Sequence, residues 1–419
     1  MKRRHILAEA AVFVALALFI YTLYVACHAA SGQTTQPVEH PRAAQLREAA
    51  ADFQSLHNEA VDLAERLTRE QIAHRQAAAE LEALKSAVAG LPLWTPATVI
   101  EAGKTYLLPA GAAVGIDVTV PNVTLIGGHV WPIPGRSLPA IYARDNGHDL
   151  TVIGTRFDYP DFPASGDPKL GPCVRTLCRG TVVKGTTSGN IDTMLEHWPG
   201  AVGTHLIGHV AGAGLRGSLS YGQGDDTYIV GCRVEDGSSG ENVIRWSPRN
   251  GVVGRGCYVI GCYVRQRINK ACIDFRHMVD GYAIGNTFET SEYGVAIGVG
   301  RSDALPGAEN VRIVGNRFVR GRLHVHQCRG LVYEDNRVEY PTQGEDHCVY
   351  VGHTTGFRVR NNRGPLPAPG QKWNTRKGEW EPINPKPLIG YGANVTGVDD
   401  DGTSAWTLPA PVTAPPAAN

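Results

Sequence analysis

The sequence predicts an all-β solenoid of parallel strands, set behind an apolar N-terminal segment and a helical stalk. Three observations carry this. A short β-like phrase recurs, as in DLTVIGTRFD from Asp149, VDGYAIGNTFET from Val279 and ENVRIVGNRFVRG from Glu309. The glycine of each phrase, from Gly127 through Gly154, Gly185, Gly208, Gly231, Gly261, Gly285 and Gly315, is spaced by 23 to 31 residues; Asp335 and Asn361 take its place in the last two copies, 20 and 26 residues on. Finally, Asn286, Asn316, Asn336 and Asn362 all follow that marker residue. Copies of variable length with no helical half suit a coil whose turns bulge outward by different amounts, unlike leucine-rich or ankyrin arrays. Stacked coils place like residues on like, about 4.8 Å apart, so asparagines in one column can hydrogen-bond along a bent backbone.

The chain has 419 residues and a formal charge of zero, with 40 basic and 40 acidic side chains. That balance excludes a general nucleic-acid binder, which needs a basic face. Glycine stands at 49 residues without collagen's every-third spacing, which fits many tight turns between short strands.

Residues 1–30 read as a signal anchor or a signal peptide. Lys2, Arg3 and Arg4 precede an apolar run from Ala8 to Cys27, long enough to cross a bilayer. The basic flank orients an uncleaved anchor with its N-terminus in the cytoplasm; Ala26, Ala29 and Ala30 would equally serve cleavage. The β domain is expected outside the cytoplasm, membrane-anchored or secreted. Residues 31–41 form a polar linker. From 42 to 90, Leu46, Phe53, Ala60, Leu67, His74, Leu81 and Val88 recur every seven residues, with Ala49, Leu56, Leu63, Glu70, Ala77 and Leu84 three places on. This a/d seam predicts a coiled-coil stalk and a parallel homo-oligomer, dimer or trimer; the alternative is a single helix packed on the downstream domain. Gly90-Leu91-Pro92 ends it.

The solenoid is expected over 91–363, with Val314 and Phe318, and Ile284 and Phe288 one copy earlier, as inward examples. His205 and His209 are expected on the same face as Ile207. Residues 364–419, rich in proline, are expected to cap the open end and finish in a disordered tail. Nine cysteines show no zinc spacing; Cys173 and Cys178 are the local disulfide candidates, and Cys232 and Cys262 occupy equivalent repeat positions.

The repeats from Thr95 to Arg363, with the opening phrase VIEAGKTYLLPAG, resemble the right-handed parallel β-helix, or pectate-lyase-like, family. That resemblance implies a protein that binds or modifies an acidic polysaccharide, as a lyase or epimerase; a glycoside hydrolase and a non-catalytic adhesion or structural scaffold remain as alternatives. The dense aspartate pairs of polygalacturonases and the Asp-Pro-His-Asp signature of alginate epimerases are absent. Registering the later repeats places Asp274, His324 and Tyr350 in one outward column, Arg276 and His326 in the next, and His277 and His353 after those. GVAIGVG, Gly294 to Gly300, lies between as a shallow floor. For proton abstraction beside a uronate carboxylate, His324 or His326 is the candidate base, Tyr350 the acid and Arg276 the carboxylate clamp, with Asp274 orienting a histidine or holding a divalent cation. Arg245 and Trp246 fall in the same stripe, with His277 and His353, as further binding candidates. No cofactor other than such a cation is expected.

Overall fold

A computed structural model describes residues 89–407, apart from 161–169, 213, 238–240, 247–252, 269, 292–293, 301–306, 341–348, 366–370, 375–378, 383–388 and 393. The expected membrane segment, linker, nearly all of the stalk and the final tail lie outside the described residues.

The chain winds into a parallel β-helix. Each coil gives one short strand to each of three sheets, of 12, 12 and 11 strands. Sheet A runs from Thr105–Leu107 to Thr396–Asp400, sheet B from Ala110–Val114 to Ala405–Thr407, and sheet C from Ile116–Val118 to Ile389–Tyr391. Every neighbour within these sheets pairs in parallel, and the register runs residue on residue, as in Val264 on Phe288 and Phe288 on Phe318, with one-step shifts in a few pairs. Alternate residues therefore meet in a continuous column of buried side chains. Phe288 and Phe318 lie 5.6 Å apart at their ring centres, and Ile273, Ile297, Leu323 and Val349 stack behind sheet C.

The corner between sheets A and B explains the repeated phrase. Its marker residue is left-handed in every copy, from φ 59° at Gly185 and Gly231 to 64° at Gly127 and Gly315. A Cβ on these glycines would meet nothing within 4 Å, so the backbone angle and not crowding selects glycine. The exceptions are the two residue types that best tolerate this region: Asp335 at φ 55° and Asn361 at φ 47°.

The next position bridges the coils. Asn286 accepts the backbone N–H of Cys262 at 2.8 Å and donates to the Val259 carbonyl at 2.9 Å. Asn316 and Asn336 repeat the pattern with Asn286 and Asn316 as their N–H donors, at 2.9 and 3.0 Å. Each amide thus satisfies two buried backbone groups that the turn would otherwise orphan. Cys262 does the same work with sulfur: it accepts the Cys232 N–H and donates to the Ile229 carbonyl, both at 3.4 Å. His209 fills this position earlier, bonded to Thr186 at 2.7 Å and Ser188 at 2.9 Å. Seven cysteines of the described residues are free and buried, so Cys173 and Cys178 are not joined.

Three expectations need correction. Ile284 and Val314 do not face the core; Ala283 and Ile313 do, and Ile284 is 36% exposed. The left-handed corner resets the alternation, so residues four apart across it point to opposite sides. His205 and Ile207 do share a face, but it is the outer one, whereas His209 lies beyond the corner and is buried. Nor does the solenoid stop at Arg363. Ile389–Tyr391, Thr396–Asp400 and Ala405–Thr407 add another coil to all three sheets. The proline-rich stretch before them is an excursion that includes the antiparallel hairpin Gln371–Asn374 and Glu379–Pro382.

Candidate functional site

The outer face of sheet C carries one long column. Asp117, Tyr142, Arg175, Glu196, Tyr221, Arg245, Asp274, Gly298, His324 and Tyr350 follow in register from coil to coil. Neighbours in the upstream half engage one another. The Arg175 guanidinium lies 5.8 Å from the Tyr142 ring centre and pairs with Glu196 at 2.7 Å; Trp198 donates to the same carboxylate at 3.2 Å. Arg245 pairs with Glu241 at 2.7 Å and lies 5.5 Å from the Tyr221 ring centre.

At Gly298 the column has no side chain. A cavity of about 270 Å³ opens there, bordered by Asp274, Arg276, His324 and His326, with Asn242 and Lys270 along one wall. A Cβ at Gly298 would touch Asp274 Oδ1 at 3.5 Å, an ordinary contact, so the gap is a matter of side-chain size and not of backbone strain. Gly300 differs: its φ is 68°, and a Cβ there would lie 2.1 Å from the Gln327 carbonyl oxygen.

Asp274 faces outward as expected but is buried, not open to solvent. Its Oδ2 accepts from Asn242 Nδ2 at 2.6 Å and from Arg276 Nε. Asn242 is held in turn by the Ala271 N–H, 2.9 Å from its Oδ1. Arg276 is therefore fixed at one side of the gap. On the other side the His324 and His326 rings lie 4.2 Å apart, 29° from parallel. Burial first, then the charge of Arg322 and the neighbouring His326, push the His324 imidazole down to about 3. It is neutral at pH 7, able to donate and accept hydrogen bonds, but a weak base.

Of the nine candidate residues, the structure brings together Asp274, Arg276, His324 and His326. Tyr350 meets His324 edge-on at 5.0 Å, yet a Cβ on Gly392 would lie only 2.5 Å from its hydroxyl. The phenol thus packs over the following coil, away from the cavity, and is not placed as its acid. Arg245 shares the column two coils upstream. Trp246 points inward, 1% exposed, because it is in register with Phe275 and not with Asp274. His277 is buried at the corner, and His353 is exposed on the last coils, 3.1 Å from Asn394.

Among the described residues no three His, Cys, Asp or Glu side chains gather in a metal-binding group. Asp274 already holds a guanidinium, so the site does not fit the expected divalent cation. Asp274 is also the one carboxylate among the described residues lining the cavity, short of the pair a glycoside hydrolase uses. Sequence reasoning missed Asn242 and Lys270, which lie on loops between strands and carry no repeat signal. It also missed Tyr142, Arg175, Glu196 and Tyr221, which registration of the earlier repeats would have found.

No family model matches the chain, and no curated protein matches it. Solved structures with a similar course include the tailspike protein of E. coli bacteriophage HK620 in complex with a pentasaccharide, at 12% identity and a TM-score of 0.41 over 73% of this chain and 59% of that one. The surface protein and adhesin PfbA of Streptococcus pneumoniae gives 9% identity and a TM-score of 0.42, over 73% of this chain and 90% of that one. The chain thus spans about three-fifths of the tailspike's length.

Proposed function

We propose that the solenoid is an extracytoplasmic binding protein for an acidic polysaccharide. The polymer lies along the outer face of sheet C and seats a sugar carboxylate over Gly298. The observation that supports this is the gap itself, a missing side chain flanked by a fixed Arg276 and the His324–His326 pair. Arg276 can present further guanidinium N–H groups to an anion while Nε stays on Asp274. Lys270 adds positive charge at the rim. Upstream, Tyr221, Arg245 and the Arg175–Glu196 pair offer aromatic edges and hydrogen-bonding groups to neighbouring sugars. The basic flank and apolar run at the N-terminus would hold this surface outside the membrane, and the heptads would multiply it, which raises avidity for a polymer.

Binding is favoured over lyase or epimerase action with His324 as the base because His324 is too weakly basic at rest to abstract a carbon-bound proton near pH 7; His326 stays the candidate base of the catalytic version. A bound carboxylate would raise the basicity of His324, which keeps the catalytic version testable.

The test is a panel of polyuronates and neutral glycans titrated against the full chain, with unsaturated ends followed by absorbance and epimerised sugars by NMR. Polyuronates should bind and neutral glycans should not. Gly298→Leu, which fills the gap without straining the backbone, should weaken binding at least tenfold while the circular dichroism spectrum is kept. Equal binding by this variant would remove the groove from consideration. Turnover that vanishes with His324→Ala would turn the binder into an enzyme.

A further inference from the structure

The outer face of sheet A is unlike the other two. One of its columns runs in register from Leu107 to Val314 and is aliphatic at every step except Lys184. Ile207 and Ile284 in this column are 37% and 36% exposed. Two residues back along the strands stands a second column of four stacked rings. His205, Tyr228, Tyr258 and Tyr282 are separated by 4.6, 4.5 and 4.8 Å and lie within 8° of parallel. Together they make an apolar stripe along the solenoid axis. The aliphatic column is about 38 Å long at ~4.8 Å per coil, and the rings widen it over about 14 Å of that length; before His205 the second column holds Thr105, Thr124, Thr151 and Val182. The ring column gives way to Arg312 and Val332 after Tyr282, and further on both columns are charged: Arg358 and Asp399 in one, Glu334 and Arg360 in the other. At comparable outer positions sheet B is mostly polar, through Arg156, Thr187, Val210, Arg233, Tyr263, Thr287 and Arg317. The stripe is therefore specific to one side of the solenoid.

We infer that this stripe is the contact face for a second copy of the same chain, with the two solenoids side by side and parallel. Two observations select this occupant. A two-fold axis parallel to the solenoid sets the aromatic column of one copy against the aliphatic column of the other, so the two-column pattern is self-complementary. The same rotation brings Arg358, paired with Glu334, level with Arg360 of the partner subunit, so hydrated ion pairs end the contact where the apolar columns end. The area by itself is too small: the aliphatic column and the four rings cover about 300 Å² per copy, under half of what a stable interface needs alone. The shortfall is what the heptads of residues 42–90 would supply by holding two copies in parallel at high effective concentration. The stripe in turn fixes the rotation of the solenoids, which leaves sheet C of each copy open.

The full chain carrying Val230→Cys, in a Cys27→Ser and Cys348→Ser background, is treated with a short bismaleimide and run on a denaturing gel. Thr187→Cys on sheet B is the control. Covalent dimers from Val230→Cys but not from Thr187→Cys are expected, and Val230→Glu with Ile284→Glu should raise the dissociation constant roughly tenfold by sedimentation. A monomeric full chain overturns the inference. So does a chain that associates but links equally at both positions, or at neither. Protection of the introduced thiol from maleimide in a monomer would also overturn it, because residues of the same chain would then cover the stripe.

Discussion

Sheets A and C are built by the same rule, yet their outer faces have opposite characters. On sheet A the column of His205, Tyr228, Tyr258 and Tyr282 is filled at every coil, ring on ring. On sheet C the column passes from Asp274 to His324 through Gly298, and one missing side chain opens a cavity. In a solenoid, regular stacking makes a flat wall, while a glycine inside a strand makes a recess whose walls are the neighbours above and below. A binding site can thus be cut into a repeat array without altering its backbone.

The largest effect that separates the two faces should come from Arg276. Arg276→Leu strips the partner from the buried Asp274 carboxylate. It should cost about 3 kcal/mol of stability by urea unfolding, as well as abolishing polyuronate binding. Arg245→Leu, whose partner Glu241 is half exposed, should cost under ~1 kcal/mol. Equal losses would mean that the Asp274 ion pair has no special standing.

Proton linkage gives the next contrast. His324 is held at about 3, below the ordinary 6.5. Between those values the unfolded chain takes up a proton that the folded chain refuses, so this residue's contribution is full above pH 6.5 and is lost as pH falls toward 3, by up to about 1.4 kcal/mol per pH unit. A bound carboxylate favours the imidazolium, so affinity for a polyuronate should rise as pH is lowered from about 7 to about 5, by at most about tenfold per unit for one proton taken up. Calorimetry in buffers of different ionisation enthalpy would register that proton. Affinity that falls on acidification would exclude His324 from the site.

The smallest effect belongs to the filled column. Tyr258→Ala removes the ring between Tyr228 and Tyr282 and should cost about 1–2 kcal/mol from two lost stacks, with the affinity of each site for a short oligouronate unchanged. A change in binding would show that the two faces communicate through the core.

How far the chain could be read without its fold follows from what each signal encodes. The marker glycines and the asparagines after them encode a local demand, a left-handed corner whose backbone groups need partners. That demand is met by residue type alone, so the order of the coils was legible from the one that carries Gly127 to the one that carries Asn362. The final coil was not, because Ile389–Tyr391, Thr396–Asp400 and Ala405–Thr407 lack that phrase and follow a long proline-rich excursion. The column of Asp274 and His324 was legible for the same reason as the corner, since register carries residues of equal position into line.

Residue order alone therefore dictates the period: which residues stack on which, through backbone hydrogen bonding between identical corners. Which way those residues face, and what they touch, emerges only when the coils are packed. The left-handed corner breaks the alternation, so Ile284 and Val314 went outward, while on sheet C alternation with Arg245 turned Trp246 inward beside Phe275. Burial of Asp274 depends on Asn242 from a preceding coil, and the Tyr350 hydroxyl is placed by Gly392 of a following one. These contacts join residues tens of positions apart, and their outcome depends on side-chain volume and loop path across several coils, which no single repeat contains.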